Sequence, residues 1–170
     1  DHGTSRGLGD VYKRQKPNTG EVVTTMLSTD ITNGQGNTFY VASAGSNNDT
    51  LANGGDNGKH PDTPFLTITK ALGTATSGDT IIVAPGEYQE AFPMTVPDGV
   101  TLRGTNLRST SVKPTSITND NNAFILSGDC HVSDLTVKDF FYNSSADEGY
   151  AFTVVSNMDS TTSPYIERVT

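Results

Sequence analysis

The chain has 170 residues and a formal net charge of -8 at pH 7, and only 33% of its residues are hydrophobic. An acidic chain is repelled by a nucleic-acid backbone or an anionic membrane surface, so neither is expected as a partner. No apolar run reaches the ~18 residues of a membrane span. The single cysteine, Cys130, cannot form an intrachain disulfide, and 17 glycines and 8 prolines favour short strands and turns over helix bundles.

The beginning of the chain is not expected to belong to the folded domain. Residues 1–15 lack periodicity, and their second half (LGDVYKRQ) resembles a translated sequencing-adapter fragment, so we interpret them as a disordered artefact. Residues 16–37 are rich in Thr, Asn and Gly and are interpreted as a linker or lead-in. The chain stops within an apparent strand at residues 165–170, so we interpret it as a fragment truncated at its C-terminus. The domain is predicted at residues 38–170.

The first part of this domain, residues 38–79, is predicted to be an N-terminal cap. Residues 38–42 have the composition of a strand, and one helix is predicted at about residues 64–73. Thr63 is expected as its N-cap and Pro64 as its first residue, because the missing N–H of proline costs nothing there. We expect its apolar stripe to cover the open end of a stack of strands. The stripe consists of Phe65, Ile68 and Leu72.

Residues 80–170 are predicted to form about four rungs of short parallel strands, without a further helix. The run from Thr80 to Tyr88 (TIIVAPGEY) opens with β-branched and apolar residues and reaches a Pro-Gly turn. Because its apolar residues do not alternate with polar ones, it predicts a strand that is buried on both faces.

Two repeated spacings indicate the length of a rung. The pattern apolar-x-x-apolar-Thr occurs at residues 132–136 and again at 166–170, 34 residues later. The pairs Leu102–Ile125 and Val112–Leu135 are each separated by 23 residues. We therefore predict a rung of roughly twenty-odd residues, lengthened in the last turn by a loop at residues 141–149.

A bend is predicted inside the first of these repeats. Val132 and Leu135 are three residues apart, so both can point inward only if the chain bends at Ser133 and Asp134. If the two repeats stack at a strand spacing of ~4.8 Å, Asp134 lies beside Arg168 on the outer face. One continuous buried column is then expected from Leu102, Val112, Ile125, Val132, Leu135, Phe152 and Ile166.

Four stretches resemble the opening of the pectin-lyase-like right-handed parallel β-helix superfamily, and more narrowly the group that begins with a DUF1565-type segment. They are residues 39–41 (FYV), 63–72 (TPFLTITKAL), 77–88 (SGDTIIVAPGEY) and 96–104 (VPDGVTLRG). The resemblance implies an all-β fold, a right-handed parallel β-helix with a short N-terminal capping helix. It says little about function, because this superfamily includes lyases, hydrolases, adhesins and viral tail proteins.

Enzymes of this superfamily usually place carboxylates, or an Arg or Lys with bound calcium, on the outside of one sheet in adjacent rungs. The candidates for such a role are Asp134, Glu167 and Arg168. The other outward charges expected are Asp129, Asp139, Arg103 and Lys138. The competing interpretation makes Asp134 and Arg168 an exposed ion pair of little energetic value, and Asp129 and Asp139 turn residues. No motif of the characterised lyases or polygalacturonases can be carried over, so no catalytic residue is assigned.

The remaining reactive side chains do not form a recognisable site. His60 and His131 are isolated from any Ser or Asp constellation, and His131 is expected on a strand surface. Cys130 is expected to be an inert thiol in or beside the core. Three aspartates follow the first strand but lack the fixed spacing of a calcium loop, so no metal and no cofactor are expected. They are Asp49, Asp56 and Asp62.

An aromatic loop offers a possible binding surface. Exposed Phe141, Tyr142 and Tyr150 could stack on sugar rings while Asn143 forms hydrogen bonds with hydroxyl groups. The alternative is that the aromatic residues fill the rung interior and protect the loop.

Three classes of function remain open. Residues 122–141 and 163–170 resemble β-helix proteins found among marine phage structural proteins. This favours a non-catalytic structural or receptor-binding domain of a virion tail fibre or spike, with cell-surface polysaccharide as a partner and, as the resemblance implies, a homotrimer as its assembly. The alternatives are a secreted polysaccharide lyase or glycoside hydrolase, and a repeat of a bacterial surface adhesin.

Overall fold

The structure is a computed structural model. It describes residues 36–48, 57–116, 122–139, 149–155 and 162–170. The predicted artefact and most of the lead-in therefore lie outside the described residues. The elements are β1 (Thr38–Val41), α1 (Ile68–Thr74), β2 (Thr80–Val83), β3 (Gly86–Glu90), β4 (Met94–Val96), β5 (Thr101–Gly104), β6 (Thr110–Pro114), β7 (Phe124–Leu126), β8 (His131–Val137), β9 (Phe152–Val154) and β10 (Tyr165–Val169). In the described ranges, no helix has the length and apolar character needed to cross a membrane.

Every strand pairing within the described part of the chain is parallel. Seven strands form one curled sheet in the order β1-β2-β5-β8-β6-β3, with β10 on the free side of β8. Three more strands form a second sheet in the order β4-β7-β9. Neighbouring strands of a sheet come from well-separated parts of the sequence. The all-β prediction is confirmed.

Alternate side chains of the strands point into a common core. Ile81, Leu102 and Val132 occupy equivalent positions on β2, β5 and β8 and are all completely buried. On β2 the burial alternates, and Ile82 is half-buried on the outer face of the sheet. The prediction that this strand is buried on both faces is therefore wrong, because only alternate side chains of β2 point into the core.

The predicted bend in β8 is confirmed. Its first three residues pair with β5 and its last two with β6, so the strand passes from one part of the curled sheet to another. Asp134 has a positive φ of 57°, a left-handed conformation that aspartate tolerates better than most residues. As a result Val132 and Leu135 are both fully buried although they are three positions apart.

The predicted register is correct in one place and wrong in another. Ile166 pairs with Val132, as the 34-residue repeat predicts. Leu102, however, pairs with Val132 rather than with Ile125. In the same way, Val112 lies opposite Val137 and not Leu135. The error arises because the turns between strands differ in length, so a single period does not describe the stacking.

The predicted buried column also needs correction at three positions. Ile125 is half-buried and points outward, because the alternation of β7 places its neighbours Phe124 and Leu126 inside. Phe152 is only partly buried, although its ring stacks on that of Phe124 with 5.5 Å between centroids. Ile166 is 42% exposed because β10 is a terminal strand of the described sheet.

The helix begins later than predicted. Its N-cap is Thr67, whose hydroxyl accepts a hydrogen bond from Lys70 N at 3.2 Å. The predicted N-cap, Thr63, precedes a segment that pairs with β1. In that segment Phe65 N donates to Tyr40 O, and Phe65 forms a β-bridge with Val41. An extended residue 65 excludes a helical start at Pro64. The apolar stripe of Phe65, Ile68 and Leu72 is nevertheless buried, as predicted.

A buried carboxylate holds the helix against the strands. Glu90 Oε1 accepts Ile68 N at 2.6 Å, and Oε2 accepts the N–H and the hydroxyl of Thr69 at 3.2 and 2.7 Å. Glu90 ends β3 and is only 3% exposed. Its two oxygens satisfy N–H groups at the start of α1 that have no partner within the helix. The helix is thereby fixed at the end of the strand stack that contains β1 to β4.

Candidate functional site: a charged corner beside an apolar cleft

The outer face formed by β1, β2, β5, β8 and β10 carries the candidate site. The strand register places five residues at equivalent positions along this face. They are Tyr40, Ile82, Arg103, Ser133 and Glu167. Because adjacent strands are ~4.8 Å apart, each of these residues is one strand spacing from the next. The face is therefore apolar near β1 and β2 and carries a charged residue on β5 and on β10, while Ser133 between them on β8 is uncharged and buried.

Four side chains at the bend of β8 form a charged group that we call the corner cluster: Arg103, Asp134, Glu167 and Arg168. Arg168 Nε lies 2.5 Å from Asp134 Oδ1 and its Nη2 2.9 Å from Oδ2. Arg103 Nε approaches Asp134 Oδ2 at 3.3 Å from the other side. Arg168 also contacts the carboxylate of Glu167. The prediction that Asp134 and Arg168 lie side by side is confirmed.

The electrostatics of the corner cluster restrict its chemistry. The hydrogen bond from Arg168 lowers the pKa of Asp134 to about 2, with further lowering by the positive charges of Arg168 and Arg103. Asp134 is therefore ionised near neutral pH and cannot donate a proton there. The structure brings the three catalytic candidates Asp134, Glu167 and Arg168 together, but two of them hold each other in a bidentate ion pair. A catalytic role for these residues stays a prediction.

The other charged candidates take part in turns and ion pairs. Asp129 Oδ1 accepts Ser163 N at 2.8 Å, and the N–H of Asp129 donates to Asp98 Oδ1 at the same distance. This fits the interpretation of Asp129 as a turn residue. Asp139 is exposed with a φ of 59°.

A second ion cluster, formed by β3, β6 and the residue that follows β8, was not predicted from the sequence. Glu87 contacts both Lys113 and Lys138, with 2.6 Å between Lys138 Nζ and Glu87 Oε2. Hydrogen bonds from Lys113 and then Lys138 lower the pKa of Glu87 to about 2. No pattern in the sequence indicates this cluster, because it depends on the register of β3 with β6, which the repeat spacings do not predict.

His131 and Cys130 lie where the sequence predicts. His131 lies on the strand surface, with its ring centroid 4.9 Å from that of Tyr165 and its Nε2 3.9 Å from Glu167 Oε2. His60 is exposed. Cys130 is buried, and burial raises the pKa of its thiol, which makes a reactive thiolate less accessible.

Part of the predicted binding surface cannot be compared with the structure. Phe141, Tyr142 and Asn143 lie outside the described residues, as do Asp49 and Asp56. Tyr150 is described and is 42% exposed. Among the described residues, no group of His, Cys, Asp and Glu side chains is arranged to hold a metal ion.

An apolar cleft, which we call the Tyr40 cleft, lies next to the corner cluster. It has a volume of about 220 Å³ and is lined by Tyr40, Pro61, Pro64, Ile82, Ala84 and Thr105 among others. Arg103 is the strand neighbour of Ile82, so the charged corner begins one strand away from the cleft. A second cleft of about 300 Å³, lined by Leu72, Gly73, Pro93 and Thr95 among others, lies between α1 and β4.

Comparison with known proteins supports the motif resemblance. A family model described as "Protein of unknown function (DUF1565)" matches residues 50–122. The match covers the helix, the Thr80 strand and the strands up to β6, which carry most of the motifs quoted above. No curated protein and no solved structure matches the chain significantly.

Proposed function

We propose that this chain forms part of a right-handed parallel β-helix that acts as a structural and receptor-binding module. The match to the DUF1565 family model and the uniformly parallel pairing of the described strands support this architecture. The bend of β8, which leads one strand from β5 to β6, is the local geometry that such a coil requires. Residues 122–141 and 163–170 resemble phage structural proteins. Because of this resemblance we assign the module to a tail fibre or spike. Its ligand is a cell-surface polysaccharide and its assembly is a homotrimer.

The non-catalytic part of the proposal rests on the ion pairs that the outer carboxylates form with arginine and lysine side chains. Asp134 lies between Arg103 and Arg168, and Glu87 between Lys113 and Lys138. A glycosidase needs one carboxyl group that keeps a proton near neutral pH and a second that acts as base or nucleophile. Carboxyl groups with a pKa of about 2 cannot fill the first role. Paired side chains of this kind instead link neighbouring strands.

Incubation of the purified chain with a panel of acidic and neutral polysaccharides tests this proposal. We expect retention on at least one polysaccharide, without release of reducing ends or of unsaturated products absorbing in the ultraviolet. Release of either product, abolished by Glu167→Gln and kept by Asp139→Asn, would overturn the non-catalytic assignment. Sedimentation equilibrium of the same sample is expected to give three times the monomer mass, and a monomer at all concentrations would contradict the trimer.

One observation favours the enzymatic alternative, a polysaccharide lyase or glycoside hydrolase. His131 Nε2 and Glu167 Oε2 lie 3.9 Å apart on the outer face, beside Asp134 in the neighbouring bend. His131 Nε2 itself is buried without a hydrogen-bond partner, so the partly exposed Glu167 would be the group of this pair that exchanges a proton with a substrate. If this pair acts in catalysis, His131→Gln and Glu167→Gln each abolish cleavage, whereas the non-catalytic module leaves no cleavage to abolish.

A further inference from the structure

The Tyr40 cleft is an accessible apolar surface on an otherwise polar face. Tyr40, Pro64 and Ile82 are only half-buried, and Pro61 and Thr105 are exposed, so the cleft opens to solvent. Its floor is formed by outward side chains of β1 and β2, and the two prolines belong to the segment that leads to α1. Since β1 and β2 are paired strands of the core sheet, their backbone hydrogen bonds fix the positions of the residues that form the floor.

The lining of the cleft indicates an apolar occupant. Tyr40 and Thr105 are the hydroxyl-bearing side chains of the lining, and the rest of it is aliphatic or proline. A sugar ring carries hydroxyl groups around most of its edge, and burying them without hydrogen-bond partners is unfavourable. A leucine, isoleucine or phenylalanine side chain has no such groups. A volume of about 220 Å³ is below the range of drug-sized ligand sites and suits a single side chain.

The charged residue beside the cleft, Arg103, indicates which ligand group lies next to the apolar side chain. Arg103 is the charged residue one strand from Ile82, and its side chain is 60% exposed. Its contact with Asp134 involves Nε, while Asp134 is held by two further hydrogen bonds from Arg168. An arginine offers five N–H donors in a planar fork that matches a carboxylate. The carboxylate of Glu167 belongs to a position two strands beyond Arg103 and so lies farther from the cleft.

We propose that the Tyr40 cleft and Arg103 bind an extended segment of a partner protein, with an aliphatic or aromatic side chain between Tyr40, Pro64 and Ile82 and an adjacent carboxylate on Arg103. Neighbouring positions of an extended peptide are ~3.3 Å apart, and a glutamate side chain reaches several ångströms further, so it spans the ~4.8 Å from Ile82 to Arg103. None of the residues named for this surface belongs to the aromatic loop that the sequence predicts for polysaccharide.

Binding of a defined peptide to the full chain tests the proposal. The probe is acetyl-Glu-Leu-Glu-amide, titrated into the ¹⁵N-labelled protein and followed by amide chemical shifts. We expect saturable shifts at Tyr40, Ile82 and Thr105 with a dissociation constant in the millimolar range, because one side chain and one ion pair contribute only ~4 kcal/mol. The serine analogue, acetyl-Glu-Ser-Glu-amide, is expected to bind at least tenfold more weakly.

Two matched pairs of variants locate the site. Thr105→Trp fills the cleft from an exposed position and is expected to abolish the shifts, whereas Thr95→Trp, on the exposed face of β4, is expected to leave them unchanged. Arg103→Gln is expected to weaken binding by about tenfold and to remove its salt dependence, because a charge-assisted hydrogen bond is lost. The exposed Arg108→Gln serves as its control.

Three results would overturn the proposal. Equal binding of the serine analogue would show that the cleft does not select an apolar side chain. Undiminished binding to the Thr105→Trp variant would place the peptide elsewhere. Saturable shifts at Tyr40 and Ile82 with digalacturonate but not with the peptide would identify the cleft as a sugar site.

Discussion

At the scale of single residues, the bend of β8 depends on conformations and contacts that few residue types allow. Asp134 and Arg168 occupy neighbouring layers and both have positive φ, at 57° and 47°. Gly104 lies directly beneath this bend, where an added Cβ would be 2.0 Å from the carbonyl oxygen of Asp134. A glycine at this position lets the bent strand approach β5 closely. The ion pair between Asp134 and Arg168 then links the two bent strands at the surface.

The acid sensitivity of the bend can be measured with Asp134→Asn, which keeps the backbone because asparagine also tolerates positive φ. The folded pKa of Asp134 is about 2, below the unfolded value of ~3.9. Its contribution to stability is therefore present above pH ~4 and is lost as the pH falls towards 2. Since the arginines are 60% and 51% exposed, we expect the variant to lose less than ~1 kcal/mol at neutral pH.

Urea denaturation at several pH values between 2 and 7 checks this prediction. The variant should lose less stability than the wild type between about pH 4 and pH 2. Some acid sensitivity remains in both proteins, because Glu87 has a similarly low pKa. Asp139→Asn, which changes an exposed aspartate at a φ of 59°, is the control. An identical acid profile for Asp134→Asn and wild type would show that the pair does not couple to folding.

The close approach at Gly104 predicts opposite effects for two glycine substitutions. Gly104→Ala forces the bend or β5 to move and should destabilise the protein by about 1 to 3 kcal/mol. Gly73→Ala lies within α1 with no atom inside 4 Å of the added Cβ, and should stabilise it by about 0.5 to 1 kcal/mol. Chemical denaturation of both variants measures the two effects. A Gly104→Ala variant as stable as the wild type would contradict the contact at the bend.

At the scale of secondary-structure elements, the existence of α1 was predicted correctly from the sequence, but its first residue was not. The burial of Ile68 and Leu72 is predicted correctly because helical spacing reports the buried face of a helix directly, whereas Phe65 is buried in the segment that pairs with β1 before the helix begins. The start is wrong because Thr63-Pro64 and Thr67 are both acceptable N-terminal signals in isolation. The choice is made by Phe65, whose backbone pairs with β1. That contact is long-range and leaves no local mark in the sequence.

The position of the N-cap can be tested with two threonine substitutions. Thr67→Ala removes the acceptor for Lys70 N and for the amide of Asn47, and should destabilise the protein by about 1 kcal/mol. Thr63→Ala changes an exposed side chain outside the helix, and should alter the stability by less than about 0.5 kcal/mol. Urea denaturation monitored by circular dichroism compares them. A larger effect of Thr63→Ala would favour the helix start predicted from the sequence.

At the scale of the whole molecule, the residue pattern predicted parallel strands and the bend but only part of the stacking. The 34-residue repeat predicted the pairing of Ile166 with Val132 because the same pattern recurs around the same bend. The 23-residue spacing misplaced Leu102 opposite Ile125, since apolar residues are frequent enough to match by coincidence. The site was likewise predicted only in part. The contact between Asp134 and Arg168 was predicted because both residues belong to the repeated pattern. The Tyr40 cleft was missed because it depends on the separate segment that contains Pro61 and Pro64.

The stacking predicts a gradient of local stability. Strands β5 and β8 have partners on both sides, whereas in the described part of the chain β10 pairs with β8 alone and leaves Ile166 42% exposed. Amide hydrogen exchange of the full chain should be slowest at Leu102 and Val132 and faster, by tenfold or more, at Ile166. Equal protection of the β10 amides would mean that another segment covers this strand in solution.

The direction of the hydrogen bonds in this stack gives it unequal resistance to tension. The backbone bonds between layers run along the stacking direction, as do the side-chain links from Asp98 to the N–H of Asp129 and from Asp129 to that of Ser163. A pull along this direction therefore loads one interface between layers at a time. A pull along the strands loads the bonds of many layers together. The module should consequently bear sideways shear far better than stretching along its stack.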